Sequence, residues 1–502
     1  MSIEEARRRV AERLVRRSER LGSLLRTVRD PSMGSPYARL LAGAGIEPAE
    51  ADRLVADSGV EQTLDTLLRH GVYLTGDEFK GRTPVVRGSL SFTVDPARLL
   101  NPLAVVHGLS ETSGSRGART PVPIDLAFIE DHAVNTHLTL DAHGGRGWRH
   151  AHWGVPGGTA VTNPLELAKG GTPPDRWFTP VDPSLPGLHA RYRWGSRAMW
   201  LGSRLAGVPM PGPTLAPLGD PEPIVRWMAE VLGRGEIPHL WTFASSAVLV
   251  CEAAAHLGVD IAGARFTAGG EPTTLARRAV VEGAGAVVIP RMGATETDIL
   301  SYACVHPRAP DDMHFFHDRH ALIQPGDGSG TPLPPTAMVL TSLLESAPIL
   351  LLNVCMGDQA TVSDRPCDCG LGRLGWTTHI AGVRSYEKLT AGGITLLDID
   401  VIRVLEEVLP ARFGGSPTDY QLVERLDEGG ARPVVQLLVD PDLGSLDESH
   451  VRDVFLDAVG GGTGGERLME LQWRGGDVLR IVREAPRHTP SGKILHLHVE
   501  TD

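Results

Sequence analysis

The segment ETSGSRGARTPVP, Glu111 to Pro123, places glycines, hydroxyl residues and two arginines between two apolar runs. Glycines let a backbone pass close to a ligand, and hydroxyls with successive N–H groups can surround phosphate oxygens. This composition predicts a phosphate-binding loop. The alternative is a solvated surface loop, because short glycine motifs occur often without a ligand.

Three later segments place polar residues where a predicted strand ends. FTAGGEP (Phe266 to Pro272) ends in two glycines and an acid, PRMGATETD (Pro290 to Asp298) contains Thr295 and Glu296, and NVCMGDQ contains Asp358. In open α/β sheets, ligands bind outside the carboxyl ends of the strands. Glu296 could therefore hold Mg²⁺ beside phosphate groups, and Asp358 could accept hydrogen bonds from ribose hydroxyls.

Near the C-terminus, the segment TPSGKI places Lys493 on a glycine turn between two predicted strands. A lysine there is a flexible point charge that can contact an anion. An ordinary surface lysine is the alternative interpretation.

The cysteines divide into two groups. Cys367 and Cys369 lie one residue apart in a glycine-rich turn, and Cys304 lies upstream in a histidine-rich segment. Two thiolates at this spacing fit a disulfide poorly but can share a metal ion. The alternative is reduced cysteines in a tight turn. Cys251 and Cys355 lie in apolar surroundings, which favours a place in the core.

The elements that must position these residues follow from the hydrophobic pattern. Three- and four-residue spacing predicts helices as far as Glu78, and strand-like runs begin near Thr83. Helix and strand alternate from Ile224 to Leu300, which is typical of an α/β sheet with crossovers. The prediction is an α/β protein with an N-terminal domain (1–384), containing a helical opening (1–82) and a variable insertion-like region (141–223), and a small C-terminal α+β domain (385–502).

Composition limits the functional classes. The chain has 502 residues, is 41% hydrophobic and has a formal net charge of −12. That acidity argues against a general nucleic-acid binder. The five cysteines are too few for a disulfide framework, and no signal peptide or membrane span is expected, so the prediction is a soluble cytoplasmic protein. His107, His150 and His152 are expected to have solvent-exposed polar roles.

In their order along the chain, these segments resemble the motifs of the adenylate-forming superfamily of acyl-CoA synthetases, nonribosomal adenylation domains and luciferases. ETSGSRGARTP resembles its phosphate loop, AGGEP its adenine turn, MGATE its aromatic-Gly-x-Thr-Glu motif, MGD its ribose motif and TPSGK its C-terminal lysine motif. The helical opening and the PCDCGLGR segment are most similar to the phenylacetate–CoA ligase group. The resemblance implies a large adenylate-forming domain of layered sheets and helices and a small mobile C-terminal domain.

The resemblance also implies a two-step activity. A carboxylate attacks the α-phosphorus of ATP to give an acyl adenylate and pyrophosphate, and a thiol, coenzyme A by preference, then displaces AMP. Lys493 and Glu296 would be catalytic, with Mg²⁺ near Glu296, and the substrate would be an aryl or medium-sized organic acid. The expected class is therefore an AMP-forming acid–thiol ligase.

Three sets of site residues follow from the resemblance. Those predicted to bind ATP or AMP are Thr112, Ser113, Gly114, Ser115, Arg116, Gly117, Arg119, Gly269, Gly270, Glu271, Pro272, Thr295, Asp358 and Arg384. The predicted acyl pocket consists of Trp241, Phe243, Ser246, Ala268, Met292 and Gly293. A structural zinc would be held by Cys304, His314, Cys367 and Cys369, with His306 and His317 as substitutes for the histidine.

Several alternatives stay open. The acyl acceptor could be a carrier-protein thiol, another protein or an amine instead of coenzyme A, and the chain could be a nucleotide-binding relative without catalysis. A P-loop kinase is disfavoured because no Gly-Lys-Ser/Thr follows the glycine loop. No nucleic-acid or membrane partner is expected, and a homodimer is compatible with the sequence.

Overall fold

A computed structural model describes most of the chain. The described residues are 1–111, 121–154, 159–181, 210–386, 390–391, 394–395, 399–426, 433–460, 479–489 and 491–499.

The strands form one large sheet, a smaller sheet and short hairpins. Their bounds are β1 Val85–Arg87, β2 Leu90–Phe92, β3 Gly108–Glu111, β4 Pro121–Ile124, β5 Arg149–Trp153, β6 Arg176–Thr179, β7 Pro213–Leu215, β8 Pro238–Phe243, β9 Arg265–Gly269, β10 Val287–Ala294, β11 Asp298–Ala303, β12 Met313–Phe315, β13 His320–Ile323, β14 Ala337–Ser342, β15 Val354–Asp364, β16 Thr378–Ser385, β17 Thr390–Ala391, β18 Ile394–Thr395, β19 Tyr420–Leu426, β20 Pro433–Val439, β21 Leu479–Val482 and β22 Leu497–Val499.

Helices surround these sheets, and several begin at residues suited to capping. Ser2, Asp125, Thr274 and Asp447 each accept a hydrogen bond from a backbone N–H in the first turn of the helix that follows. The α-helices are Ile3–Val15, Arg17–Arg29, Pro36–Gly43, Pro48–Arg69, Gly76–Phe79, Leu126–Ala142, Thr159–Gly170, Glu222–Gly233, Ala244–His256, Leu275–Gly283, Ile399–Arg403, Leu409–Phe413 and Glu448–Val459, with a π-helical turn at Val404–Val408 and 3₁₀ turns at Pro31–Met33, Pro96–Leu99, Gly145–Gly147, Gly372–Leu374 and Pro441–Leu443.

The large sheet has a parallel half and an antiparallel half. Over the described residues its order is β13-β14-β15-β16-β12-β11-β10-β9-β8-β5-β6-β7. Strands β10, β9, β8, β5, β6 and β7 run parallel, whereas β10 pairs antiparallel with β11. Parallel strands need crossover connections, and the helices Ala244–His256 and Leu275–Gly283 supply two of them. The carboxyl ends of β8, β9 and β10 therefore lie at one edge of the sheet.

The C-terminal part of the chain builds a second sheet with its own core. Its order is β21-β20-β19-β22, and it packs against the helix Glu448–Val459. Apolar side chains from Val401 to Leu497 form a separate buried cluster there. The predicted α/β class, with a small C-terminal α+β unit, is confirmed.

Two expectations about residues 141–223 can be compared with the structure. Strands β5, β6 and β7 come from this stretch and belong to the large sheet, with β5 between β6 and β8. The expectation that His150 and His152 are exposed was wrong: they are 2% and 4% exposed, because β5 is an internal strand.

The predicted domain boundary at residue 384 stays a prediction. Among the described residues, no helix combines the length and apolar composition needed to cross a bilayer.

Candidate active site at the strand ends

Three neighbouring parallel strands end together at the candidate site. The register places Phe243, the last residue of β8, opposite Gly269, the last residue of β9. Pro290 of β10 pairs with Ala268, so the continuation of β10 passes Gly269 and leads into the turn that contains Thr295 and Glu296. The sheet thus brings the predicted adenine turn and the predicted Mg²⁺ turn to one edge, where α/β proteins bind ligands.

Lys493 lies against this edge, although it belongs to the C-terminal unit. A β-carbon added to Gly270 would come within 3.0 Å of both Cε and Nζ of Lys493 and 3.1 Å of the Phe243 ring. Nζ lies 5.1 Å from the centroid of the Phe243 ring, a cation–π contact. Gly270 has φ of +74°, a conformation that favours glycine. Backbone geometry and available space therefore both favour glycine at the position where the lysine docks.

A buried ionic cluster joins the C-terminal unit to the same edge. Arg277 Nη1 donates to Glu271 Oε2 at 2.8 Å, and its Nε lies 2.7 Å from Glu406 Oε1. Glu406 Oε1 also lies 2.6 Å from His496 Nε2. Burial raises the pKa of Glu406, but the charges of Arg277 and His496 outweigh burial and hold that pKa below its usual value. Glu406 is therefore an ionised link between the two parts of the chain.

This cluster also uses a predicted nucleotide-binding residue. The carboxylate of Glu271 is 1% exposed and accepts from the backbone N–H of Ser245 at 2.8 Å and the Ser245 hydroxyl at 3.0 Å, besides Arg277. Its oxygens are thus occupied by protein donors, and its predicted role toward ATP stays a prediction. No sequence pattern pointed to Arg277, Glu406 or His496, because Arg277 lies 129 residues before Glu406 and 219 residues before His496.

Glu296 lies in the turn between β10 and β11 and is 7% exposed. Among the described residues, its carboxylate has no hydrogen-bond or ion-pair partner. A carboxylate that no protein donor occupies can bind a cation. Asp358 and Arg384 lie one register step apart on the paired strands β15 and β16, where Asp358 is opposite Ser385 and Arg384 is opposite Gln359.

The predicted acyl-pocket residues lie on β8, β9, β10 and the helix Ala244–His256. Trp241, Ser246 and Ala268 are buried. The Arg291 guanidinium stacks 4.5 Å from the centroid of a Trp241 ring and donates to Asn163 Oδ1 at 3.3 Å. Sequence reasoning did not single out Arg291. Met292 and Gly293 lie at a β-bulge, where a side chain at Gly293 would collide with the Asp298 carbonyl.

The predicted phosphate loop is bordered by a described hairpin. Strands β3 and β4 pair antiparallel, with Glu111 opposite Pro121. The loop positions Thr112, Ser113, Gly114, Ser115, Arg116, Gly117 and Arg119 lie outside the described residues. The remaining predicted residues, including Pro272 and Thr295, are described.

The predicted zinc residues come together. Cys304, His314, Cys367 and Cys369 each offer a ligand atom within 4.8 Å of the others. The sulfurs of Cys304 and Cys367 lie 3.6 Å apart, and His314 Nε2 lies 3.1 Å from the Cys369 sulfur. His306 is instead exposed and 3.1 Å from Asp368. Of the three candidate histidines, His314 is therefore the one the structure places in this cluster.

The chemistry of these four groups fits a metal ion. His314 Nδ1 is 2.7 Å from the Trp376 carbonyl, which can only accept, so Nδ1 bears the proton and the Nε2 lone pair faces the sulfurs. A hydrogen bond with Cys304 lowers the pKa of Cys369 well below its usual value, which favours a thiolate. Tetrahedral Zn²⁺ with bonds of about 2.3 Å to sulfur needs such closely spaced thiolates and a carbonyl-oriented imidazole.

Two cavities flank this cysteine cluster. One of about 270 Å³ is lined by residues that include Arg7, Asp141 and Arg373, and one of about 470 Å³ includes Arg308 and Arg365. Neither is lined by the residues of the predicted acyl pocket. The cavities therefore give no volume for the acyl group.

Solved structures resemble this chain at low identity. One is 2-hydroxyisobutyryl-CoA ligase in complex with 2-HIB-AMP and CoA in the thioesterification state, with a TM-score of 0.48 and 15% sequence identity. The match covers 98% of this chain and 90% of the ligase chain. McyG A-PCP complexed with phenylalanyl-adenylate has a TM-score of 0.42 at 12% identity, and the match covers 80% of this chain and 64% of the McyG chain. E. coli MenE with a bound analogue of OSB-AMS has a TM-score of 0.31 at 15% identity, and the match covers 74% of this chain and 66% of the MenE chain.

No family model matches the chain, and no curated protein matches it. Likenesses at these TM-scores do not establish a family or an activity. Membership of the adenylate-forming superfamily, and of its phenylacetate–CoA ligase group, therefore stays a prediction from the motifs.

Proposed function

We propose that this protein is an AMP-forming ligase that activates an organic carboxylic acid with ATP and transfers the acyl group to a thiol. The observation that supports it most is the position of Lys493. A lysine from the C-terminal unit contacts Gly270 and Phe243, at the edge where β8, β9 and β10 end. Two motifs that are far apart in sequence, and that the resemblance assigns to one reaction, thus lie in contact: the glycine turn after β9 and the segment of Lys493.

In this proposal, Lys493 places its ammonium between the incoming carboxylate and the α-phosphate. Both groups are anions that repel each other, so a positive charge between them lowers the barrier to attack. The glycine turn at Gly269 and Gly270 leaves room for adenine, and Asp358 accepts from the ribose hydroxyls. Positioning and charge neutralisation supply most of the rate in phosphoryl-type transfers.

Glu296 is the residue that would hold Mg²⁺, since its carboxylate lacks a protein partner among the described residues and lies at the end of β10. Bound Mg²⁺ would neutralise charge on the ATP phosphates. The residues of the loop, Thr112 to Arg119, would hold the departing pyrophosphate. The cysteine cluster lies elsewhere on the large sheet and would hold a structural zinc, which closes a turn and takes no part in the reaction.

The acid and the acceptor are the finer parts of the proposal. Trp241 and Phe243 favour an aryl or medium-sized acid, and coenzyme A is the preferred acceptor. A carrier-protein thiol, another protein or an amine is the second candidate, and an AMP-release assay with each acceptor distinguishes them.

The deciding experiment is ATP–pyrophosphate exchange with Mg²⁺ across a panel of aryl and alkyl carboxylic acids. Exchange that depends on one acid would support adenylation and identify the substrate class. ADP as the product would instead indicate a kinase-type reaction. ATP binding by calorimetry without exchange for any acid would contradict the proposed activity for the acids tested and favour a nucleotide-binding relative.

A further inference from the structure

A second group of potential metal ligands lies beneath the large sheet, separate from the cysteine cluster. His132 belongs to the helix Leu126–Ala142, Glu166 to the helix Thr159–Gly170, and Asp298 begins β11. One ligand atom from each lies within 4.8 Å of the other two. His132 and Glu166 are completely buried, and the Asp298 side chain is 10% exposed. Three elements that are distant in sequence thus converge on one buried polar point.

The polar atoms at this point lack partners. Among the described residues, neither ring nitrogen of His132 has a hydrogen bond, and Glu166 Oε1 has none. His132 Nδ1 lies 3.3 Å from Asp298 Oδ2, but the two are not aligned as donor and acceptor. Each buried polar group left unpaired costs about 1–3 kcal/mol. A fully buried histidine with two unpaired nitrogens therefore indicates that a group is missing from the cluster.

The surrounding residues do not supply that group. Glu166 Oε2 accepts from the Thr136 hydroxyl at 2.8 Å, which leaves Oε1 unsatisfied. The nearby guanidinium of Arg319 donates to the Ile299 carbonyl, and among the described residues it forms no ion pair with Glu166 or Asp298. Two adjacent buried carboxylates repel each other unless a cation or a shared proton lies between them.

We infer that His132, Glu166 and Asp298 bind a divalent transition-metal ion such as Mn²⁺. One imidazole and two carboxylates suit such an ion, whereas the thiolates of the cysteine cluster suit zinc. The bound ion would tie two helices to the start of β11, immediately after the turn that contains Glu296. This site would stabilise the turn whether or not the proposed ligase activity is correct.

Mn²⁺ titration of the full chain tests the inference. The protein is first given one equivalent of zinc, which the thiolates of the cysteine cluster bind in preference, and unbound metal is removed. Free Mn²⁺ is then followed by electron paramagnetic resonance without nucleotide. We expect one tightly bound Mn²⁺ per chain, and an affinity at least about 10-fold weaker in Glu166→Gln. Glu130→Gln is the matched control: it removes a half-exposed carboxylate two residues before His132 on the same helix and should leave Mn²⁺ binding unchanged.

Thermal unfolding provides the second measurement. Mn²⁺ should raise the Tm of the wild type and of Glu130→Gln but not that of Glu166→Gln, because a ligand stabilises only the state that binds it. If Glu166→Gln does not fold, Asp298→Asn replaces it. The inference is overturned if the wild type binds no Mn²⁺, or if both ligand variants bind it as tightly as the wild type.

Discussion

At the scale of single residues, Lys493 is the residue that most directly links the structure to the proposed chemistry. In Lys493→Ala, ATP–pyrophosphate exchange should fall about 10²–10³-fold, because the variant loses a charge that acts most strongly in the transition state. Transfer from a supplied acyl adenylate to the thiol should continue, since no α-phosphate is attacked by a carboxylate in that step.

Lys169→Ala is the control for this loss. Lys169 is an exposed lysine paired with Glu130 at 3.1 Å, so its removal changes the charge of the protein equally. If Lys493→Ala exchanges pyrophosphate at the wild-type rate, Lys493 has no part in the mechanism.

Cys367 provides a second test at the residue scale. Elemental analysis of the purified wild type should find about one zinc per chain, and Cys367→Ser should lose it and unfold at a lower temperature, because structural zinc contributes directly to folding. Cys251→Ser is the matched control, since Cys251 is a buried cysteine in a different apolar cluster. A wild type without zinc would reduce the cluster to a set of hydrogen-bonded thiols.

The sequence predicted these site residues where the motif itself contains the chemical group. Cys367 and Cys369 are separated by a single residue, and the glycine turn before Lys493 marks that lysine. His132 and Arg277 gave no such signal. Their partners come from other elements, and only the packing of helices against the sheet brings the groups together.

At the scale of elements, the turn that ends β9 must leave space for the docked lysine. Gly270→Ala adds a methyl group 3.0 Å from Lys493 Nζ and 3.1 Å from the Phe243 ring, at φ of +74°. We expect this variant to fold but to lose most of its exchange activity, because the methyl group displaces the lysine. Initial rates of pyrophosphate exchange and the Tm measure the two effects separately.

Gly258→Ala separates backbone strain from crowding. Gly258 has φ of +65°, but no atom lies within 4 Å of an added β-carbon. Both variants should lose stability by about 1 kcal/mol from the left-handed backbone. Equal exchange activity in the two variants would show that contact with Lys493 does not matter.

The alternation of helices and strands from Ile224 to Leu300 was predictable because β8, β9 and β10 are short, mostly apolar runs with glycine or proline near their ends. The buried environment of β5 was not predictable. Its sequence RHAHW has the polar content of an exposed strand, yet His150 and His239 lie in contact at 2.7 Å between their Nδ1 atoms in the interior. His239 in turn contacts the Thr267 hydroxyl at 2.7 Å. Buried polar residues that contact one another across neighbouring strands cannot be recognised from the sequence of one strand alone.

At the scale of the whole molecule, the docking of the C-terminal unit rests on charged groups. Arg277 links Glu271 to Glu406, so the loss of this arginine would leave Glu271 without an ion pair and Glu406 with His496 alone. Elsewhere on the interface, Glu252 of the helix Ala244–His256 lies near Ser416, Asp419 and Asp440. There, negative charges from both parts of the chain face one another, and the docking should depend on pH.

Glu252→Gln tests that dependence. Burial, together with the charges of Asp419 and Asp440, raises the pKa of Glu252 from 4.5 to about 7. The folded chain therefore holds this proton more tightly than the unfolded chain, and the resulting stabilisation is complete below pH 4.5 and is lost as the pH rises through 7. The loss amounts to at most about 3 kcal/mol. Glutamine keeps the neutral shape at every pH, so this variant should avoid the loss.

Thermal unfolding from pH 4.5 to 8.5 measures the difference. The Tm of Glu252→Gln should match that of the wild type near pH 4.5, exceed it increasingly up to pH 7 and stay above it by a constant amount beyond. Glu230→Gln is the control, because Glu230 is exposed on the neighbouring helix Glu222–Gly233 and should show no gap that depends on pH. If the Tm of Glu252→Gln differs from that of the wild type by the same amount at every pH, Glu252 is solvated in the folded protein. The C-terminal unit then does not cover it in solution.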